Sequence, residues 1–220
     1  MNPITAMVDN IMIPFLEACY GFYPNYGVSI LILTLVIKVI FFPLSKKQFE
    51  KMKITQKLQP KVKALQAKYK GDPKKIQQEM MKLWKENNAN PLGGCLPALV
   101  QLPFFLAIFY TIKSDAFLSL LTGEGINPGF LIWSNLAAND TTYILPTLIA
   151  ATTYLSQKLY VTDPSQKQMM AMMAIFMPIM MFFVSLNMPV GVLLYWTLNQ
   201  AVSGGIQYYF VKRKPAPKTT

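Results

Sequence analysis

The sequence predicts an all-α integral membrane protein with five transmembrane helices, a cytoplasmic helical hairpin and an N-terminal interfacial helix. Three observations support this fold class. Hydrophobic residues make up 53% of the 220 residues, which is too apolar for an ordinary soluble domain of this length. Five apolar runs are each long enough to cross a hydrocarbon layer about 30 Å thick. One segment between two of these runs is strongly basic and has a helical pattern.

The N-terminal interfacial helix is predicted at 1–25. Met7, Ile11 and Phe15 recur at a helical spacing, and Asp9 falls on the other side. The segment lacks the charged start and the small-residue cleavage site of a signal peptide. Helices of this kind lie on a membrane surface with their apolar face toward the lipid.

The five apolar runs become transmembrane helices in the prediction, and polar segments connect them. The predicted transmembrane helices are 26–49, 91–113, 143–161, 169–186 and 190–211. The other segments are the cytoplasmic hairpin, an external loop, a cytoplasmic loop and a basic tail, at 50–90, 114–142, 162–168 and 212–220. Because five is odd, the termini lie on opposite sides. Lysine-rich segments stay in the cytoplasm, so the N-terminus is predicted outside and the C-terminus inside.

A single charged residue, Lys38, interrupts the first apolar run, 27–44. A lysine at the centre of a membrane helix costs about 2.5 to 3.5 kcal/mol on insertion scales, so such a residue usually faces water or a partner. Snorkelling is the alternative interpretation, because Lys46 is only eight residues away and marks the basic end of the helix. Thr34 shares the helical face of Lys38 at a spacing of four, which favours a wet, functional face.

Polar side chains also recur along faces of three other predicted spans. Gln101 is the one central polar side chain of the second span, and Gln157 lies in the inner half of the third. The candidate groove residues are Thr34, Lys38, Gln101, Gln157, Trp196, Asn199, Gln200 and Ser203. In a bundle this small, such stripes either satisfy one another's hydrogen bonds or line a water-filled cavity. Trp196 has a further interpretation as an interfacial anchor.

The segment 46–90 holds thirteen lysines and four acidic residues, a net +9 of the total +11. Two apolar stripes predict a hairpin of two antiparallel helices, with Gly71, Asp72 and Pro73 as the turn. Pro60 is predicted to break the extension of the first span and to restart a helix there, at the base of the hairpin. Either the lysines only solvate the hairpin, or they dock it onto ribosomal RNA, acidic lipid headgroups or a targeting partner. The candidate docking residues are Lys57, Lys61, Lys63, Lys68, Lys70, Lys74 and Lys75.

Side chains for catalysis are scarce in this sequence. The chain has no histidine, its predicted spans contain no Asp or Glu, and it has no serine-centred nucleophile motif, so no acid–base pair can be assigned. We therefore expect neither an enzyme nor a metal or cofactor site. A transporter of ions or small solutes that uses Lys38 is the main alternative, although transporters usually carry titratable carboxylates and internal repeats. A purely structural scaffold would explain the hairpin and leave Lys38 unexplained.

Several motifs, in the same order, resemble the YidC family of membrane protein insertases in its short form with only the five-helix core. They are KVIFFPLSKKQ at 38–48, LQPK at 58–61, NPLGGCLPALVQLP at 90–103, TDP at 162–164 and PVGVLLYWTLN at 189–199. The resemblance implies five helices around a hydrophilic groove that is open to the cytoplasm and to lipid and closed on the outer side. The family usually has arginine where this chain has Lys38. Lysine keeps the positive charge but lacks the planar guanidinium group that can bind a carboxylate through two hydrogen bonds.

The resemblance also implies a function. The chain would receive nascent membrane proteins in its positively charged groove, hold acidic or polar groups near Lys38, and release apolar segments into the bilayer without a nucleotide. The implied location is the bacterial plasma membrane. The implied partners are nascent membrane proteins, the lipid bilayer, the ribosome, and the general secretion channel or a targeting receptor. The chain is expected to work as a monomer and to recognise no specific nucleic-acid sequence.

Overall fold

The computed structural model describes residues 3–87, 89, 96–160 and 167–210, which are mostly helical. The helical elements are α1 (Pro3–Met7), a π-helical segment (Val8–Met12), α2 (Ile13–Phe22), α3 (Tyr26–Ile40), α4 (Phe42–Lys68), α5 (Pro73–Glu86), α6 (Leu96–Lys113), α7 (Asp115–Leu121), α8 (Ile144–Tyr160), α9 (Lys167–Ser185) and α10 (Val190–Tyr208). Within these ranges there is no β-strand, only isolated bridges. The all-α prediction is therefore confirmed for the part of the chain that the structure describes.

Helix α10 is the centre of the bundle, because it packs against α3, α6 and α8, while α9 packs against α8. The outer half of the bundle, the half remote from the hairpin, is filled with apolar side chains. Ile30, Ile108, Ile112 and Leu193 come from three helices and are almost completely buried there. Each such side chain contributes about 1.5 to 3 kcal/mol by leaving water. The outer half is therefore a closely packed apolar core.

The N-terminal residues form one helical rod from α1 through α2, with the π-helical segment between them. Val8, Met12 and Leu16 are buried because the rod packs against α6 and α3. Ile11, on the face that the sequence predicts to be apolar, is 59% exposed. The rod meets α3 at a bend of 118°, and Asn25 caps α3 by accepting a hydrogen bond with its side-chain oxygen. The rod therefore packs one apolar face against the bundle, whereas Ile11 lies on another face that is exposed.

The first predicted span, 26–49, is divided in the structure. Helix α3 ends at Ile40, Phe41 has φ of −90° and ψ of 4°, and α4 begins at Phe42. Pro43 lies in the first turn of α4 and has no N–H with which to continue the hydrogen-bond ladder of α3. A proline is tolerated in a first helical turn, so the chain ends one helix here and starts another.

The prediction that Pro60 breaks the extension of the first span and restarts a helix is wrong. Helix α4 runs without interruption from Phe42 to Lys68, with Pro60 inside it. An internal proline removes one backbone hydrogen bond and costs about 3 kcal/mol. Leu58 and Val62, on either side of it, are buried, and α4 packs against α5. This packing offsets the cost and keeps the arm continuous.

The turn of the hairpin forms where the sequence predicts it. Gly71 has φ of 105°, a conformation that glycine adopts without steric cost. Asp72 caps α5, because its side chain accepts a hydrogen bond from Lys75 N at 3.1 Å. Pro73 then occupies the first turn of α5, where its missing N–H needs no partner.

The predicted external loop, 114–142, contains helix α7, which was not predicted from the sequence. Ser114 caps this helix by accepting a hydrogen bond from Phe117 N at 3.1 Å, and the Phe117 side chain is completely buried. A serine followed by a short apolar run is a weak helix signal, because seven residues are too few to show a clear period.

The rest of this loop is a strap across the outer end of the bundle. Asn25 Nδ2 donates to the Gly129 carbonyl at 3.1 Å, and Val190 N donates to the Ala138 carbonyl at 2.8 Å. The strap thus joins the start of α3 to the start of α10. Gly27 packs so closely against Phe130 that a side chain on Gly27 would overlap the phenyl ring.

Taken singly, none of the described helices has both the length and the hydropathy that crossing a membrane requires. Two bent pairs of helices meet these criteria together, 5–22 with 26–40 and 101–113 with 115–121.

Candidate functional site

A cavity of about 580 Å³ lies in the half of the bundle next to the hairpin. Its walls come from the hairpin-side parts of α3, α6, α8 and α10 and from Met181 of α9, with the start of α4 at its mouth. Of the residues predicted from the sequence, it is lined by Lys38, Gln101, Gln157, Trp196, Asn199, Gln200 and Ser203. The cavity stops where the apolar core of the outer half begins, so the structure brings seven of the eight predicted groove residues to one space.

Lys38 is half-buried in the wall of this cavity, where its Nζ donates a hydrogen bond to Ser203 Oγ at 2.7 Å. The contact joins α3 to α10. An ammonium has three N–H donors, so two remain beyond the contact with Ser203. The described residues that line the cavity include no carboxylate. The positive charge of Lys38 is therefore not neutralised by the walls.

Two further contacts of α10 satisfy polar groups between helices. Gln200 Oε1 accepts hydrogen bonds from Thr152 Oγ1 at 2.6 Å and from Thr153 Oγ1 at 3.3 Å. Gln101 Nε2 donates to the hydroxyl of Tyr195. Gln101 and Gln200 thus line the cavity and also join helices by hydrogen bonds. Lys38 lines it too, and its ammonium keeps donors beyond its contact with Ser203.

Thr34 is the one predicted groove residue that lies outside the cavity. Its side chain is completely buried, and its Oγ1 donates to the Ile30 carbonyl at 2.7 Å. A buried threonine in a helix commonly satisfies its hydroxyl on the carbonyl four residues earlier. The spacing of four from Lys38 puts Thr34 one turn closer to the apolar core, and this corrects its predicted role.

Trp196 forms part of the cavity wall. Its indole packs edge-to-face on Phe105 of α6, with ring centroids 5.0 Å apart and an interplanar angle of 70°. Such a pair contributes about 0.5 to 1.5 kcal/mol beyond the area that it buries. The contact holds α10 against α6 inside the bundle, which explains the residue without the interfacial anchor considered from the sequence.

Two further amides lie at the mouth of the cavity, Gln48 on α4 and Gln207 on α10. Gln207 lies on the predicted polar face of the fifth span but is not among the candidate groove residues, and Gln48 was missed. Both are buried, at 7% and 2% exposed, and the Nε2 atom of each has no hydrogen-bond partner among the described residues. A helical signal existed for Gln207, which follows Ser203 by four residues. Gln48 follows Lys38 by ten residues, about 80° away from the same helical face, and lies beyond the break at Phe41, so no helical signal indicated it.

The candidate docking lysines lie on both arms of the hairpin. Lys63 is half-buried and the other six are exposed. At the tip, the ammonium groups of Lys68 and Lys75 each lie 5.3 Å from the centroid of the Tyr69 ring. This distance is within the range of a cation–π interaction. The tip is therefore a compact cationic surface with one aromatic ring.

Known membrane proteins are similar to this chain in sequence and in fold. The sequence profile of the family described as 60Kd inner membrane protein matches residues 18–217. The membrane protein insertase YidC of Syntrophus aciditrophicus is 39% identical over 90% of this chain, which covers 35% of that protein. The membrane protein insertase YidC of Fusobacterium nucleatum is 42% identical, and the match covers 98% of this chain and 100% of that protein.

A solved structure gives the same result for the fold. The crystal structure of an active YidC insertase with its first transmembrane domain resolved superimposes with a TM-score of 0.76 at 28% sequence identity. The superposition covers 93% of this chain and 46% of that one. The chain thus spans about a third of the length of the Syntrophus relative and the whole length of the Fusobacterium relative.

These matches extend over nearly the whole chain, and they include the segments that form the cavity and the hairpin. The proteins named are insertases, so the comparisons give no support to a transporter, and insertases are not a class of enzymes. From its profile match, its relatives and its fold, this chain belongs to the YidC family of membrane protein insertases.

Proposed function

We propose that this chain is a membrane protein insertase of the bacterial plasma membrane, and that its cavity receives polar segments of nascent membrane proteins. The observation that carries the proposal is the position of Lys38. Its ammonium lies in a cavity of about 580 Å³ whose described lining has no carboxylate, beside a packed apolar core. A site of this kind would take up an anionic or polar segment from the hairpin side. The apolar core would then stop the segment before it reaches the outer side.

The energetics favour acidic segments. A carboxylate about 4 Å from an ammonium gains roughly 4 kcal/mol at an effective dielectric constant of 20, against about 1 kcal/mol in water. Ser203 holds the Lys38 ammonium in place at 2.7 Å, so a client would not have to order the lysine side chain itself. The lysine ammonium is a point charge, unlike the planar guanidinium of arginine, so it would bind carboxylates in many orientations.

The proposed membrane arrangement places the hairpin in the cytoplasm. Helices α3, α6, α8, α9 and α10 would be the five transmembrane segments, with the N-terminus outside and the C-terminus inside. The basic hairpin then obeys the positive-inside rule. A client's apolar segment would leave the cavity sideways into lipid, driven by about 25 cal/mol for each Å² of apolar surface removed from water, and no nucleotide would be needed.

The hairpin would be the first contact of a client complex. Its exposed lysines and the aromatic ring at its tip suit the ribosome, anionic lipid headgroups, or a targeting receptor or secretion channel with an acidic surface. Contacts of this type between exposed charges weaken as salt rises. We propose that the protein works as a monomer.

The test is insertion of a single-span client into liposomes that contain only this purified protein. The client is made with either an acidic or a neutral polar external segment. We expect Lys38→Ala to lower the insertion of the acidic client about tenfold or more, which corresponds to about 1.4 kcal/mol, and Lys38→Arg to retain it. Lys113→Ala is the matched control, because Lys113 is an exposed lysine beside Phe109 at the outer end of α6.

Failure of the native protein to insert either client would contradict the proposed function. Equal insertion of both clients by the native protein and by Lys38→Ala would leave an insertase without a role for the cavity charge. An ion flux through the liposomes that depends on Lys38, without insertion, would favour the transporter.

A further inference from the structure

The hairpin end of the cavity differs in chemistry from the end at Lys38. Gln48 of α4 and Gln207 of α10 line it, and both side chains are more than nine-tenths buried. Their amide nitrogens have no hydrogen-bond partner among the described residues. A buried donor without a partner is costly, and most such groups in folded proteins are paired. Two of them at one place therefore point to a ligand that supplies the missing acceptors.

The two amides lie at the same level of the cavity. Phe49, next to Gln48, packs with Phe210 and Ile206 in one apolar cluster, and Ile206 precedes Gln207. This cluster fixes the start of α4 against the end of α10. The amides thus border the same mouth, through which a chain arriving from the hairpin would pass.

Two other glutamines of the cavity use their polar groups to join helices. Gln101 is bonded to Tyr195, and Gln200 is bonded to Thr152 and Thr153. Those amides hold helices together. Gln48 and Gln207 do not use their amide nitrogens in this way, although both lie between packed helices.

We infer that Gln48 and Gln207 form a second client-binding site, which binds the backbone carbonyl oxygens of an extended polypeptide segment. This inference rests on the proposed function and adds the chemical class that the mouth of the cavity recognises. Two neutral N–H donors suit a neutral acceptor, and an unpaired peptide backbone carries one carbonyl at every residue. They do not suit a cation, which would need acceptors.

An acceptor for the backbone N–H groups lies deeper on the same wall. Asn199 is 8% exposed, lines the cavity, and its Oδ1 has no partner among the described residues. It precedes Gln207 by eight residues, which is about 12 Å along a helix. An extended segment of about four residues spans that distance. The wall therefore offers donors and an acceptor at a separation that a short stretch of backbone can bridge.

This site is insensitive to client charge, whereas Lys38 selects acidic groups. Neutral polar segments have only the amide site for polar contact at the mouth. Acidic segments have the contact with Lys38 in addition, so they depend on the amides less. Each site is thus predicted to control a different class of client.

The experiment uses the same liposomes and the same pair of clients. The variant Gln48→Met/Gln207→Met replaces both amides by apolar side chains of similar length. We expect it to slow insertion of the neutral client by about two- to tenfold for each amide removed, and to slow the acidic client less. Lys38→Ala should have the opposite preference. Gln78→Met is the matched control, because Gln78 lies exposed on α5.

Thermal unfolding of the variant in detergent separates binding from structure. Removing unpaired buried amides should leave the unfolding temperature unchanged or raise it. If insertion of the neutral client is unchanged while the native protein inserts both clients, the amide site is refuted and the proposed function stands. A lower unfolding temperature with equal loss for both clients would mean that the amides have a structural role, and this too overturns the inference. If the native protein inserts neither client, the inference falls with the proposed function.

Discussion

Asp140 holds the outer strap together through four hydrogen bonds to its buried carboxylate. Trp133 Nε1 and Thr142 N each donate to Oδ1 at 2.8 Å, Thr142 Oγ1 donates to the same oxygen, and Leu145 N donates to Oδ2 at 2.9 Å. Burial by itself raises the pKa of the Asp140 carboxyl, but these hydrogen bonds outweigh it and hold the pKa below its ordinary value of 3.8. The ionised form is therefore the one that stabilises the strap.

We expect Asp140→Asn to lower the free energy of unfolding by about 1 to 3 kcal/mol, because an amide cannot accept all of these bonds and places its own donor against N–H groups. A group with a depressed folded pKa stabilises above its unfolded pKa, and this contribution is lost as pH falls through the folded pKa. The difference between native and variant should thus be constant from about pH 8 to pH 5 and shrink in stronger acid. Thermal unfolding in detergent measures it, with the exposed Asp115→Asn as control. A difference that grows in acid would contradict this account.

Single residues were predictable where they break a pattern. Lys38 is conspicuous because it is a charge in an apolar run, and it does lie in the cavity. Gln48 was not predicted, because it follows the break at Phe41, and a helical face cannot be extended by counting across an unrecognised break. Thr34 was assigned to the wet face by spacing alone, which cannot distinguish a cavity from the core one turn away.

At the scale of helices, two glycines lie in opposite surroundings. A side chain at Gly27 would overlap the phenyl ring of Phe130 in the outer strap, whereas one at Gly205 of α10 would meet nothing within 4 Å. The first glycine is required by packing, and the second only adds backbone freedom to a helix.

We therefore expect Gly27→Ala to lower the free energy of unfolding by about 1 to 3 kcal/mol through overpacking. Gly205→Ala should raise it by about 0.5 to 1 kcal/mol, because alanine loses less entropy than glycine in a helix. Chemical or thermal unfolding of the two variants in the same detergent makes the comparison. The explanation fails if Gly27→Ala is as stable as the native protein.

The helices themselves were largely predictable, and their ends less so. The hairpin turn follows from Gly71, Asp72 and Pro73, because the conformational preferences of these residues determine the local backbone conformation. The prediction at Pro60 was wrong because it considered only the local cost of a proline inside a helix. The packing of α4 on α5, which offsets this cost, cannot be seen in a local sequence pattern. Helix α7 was missed because its stability comes from the burial of Phe117.

For the whole molecule, the two halves of the bundle have opposite properties. The outer half is an apolar core under a hydrogen-bonded strap, and the half next to the hairpin contains the polar cavity. The sequence alone left open whether the polar stripes enclose a cavity or pair with one another, because this depends on helix rotation. In the structure the two alternatives coincide, because Gln200 and Lys38 both line the cavity and both have a hydrogen-bond partner on a neighbouring helix.

This asymmetry predicts access from one side only. In a variant with Cys19 and Cys95 replaced by serine, a cysteine at Gln157 should react with a membrane-impermeant maleimide added on the hairpin side, and not from the outer side. A cysteine at Val192, which is completely buried in the outer core, should react from neither side. A cysteine at Thr122, exposed in the outer loop, should react only from the outer side and so verifies vesicle orientation. Because closely packed aliphatic side chains leave no path for water, labelling of Gln157→Cys from both sides would refute a closed outer half, and with it the one-sided entry on which insertion by this cavity depends.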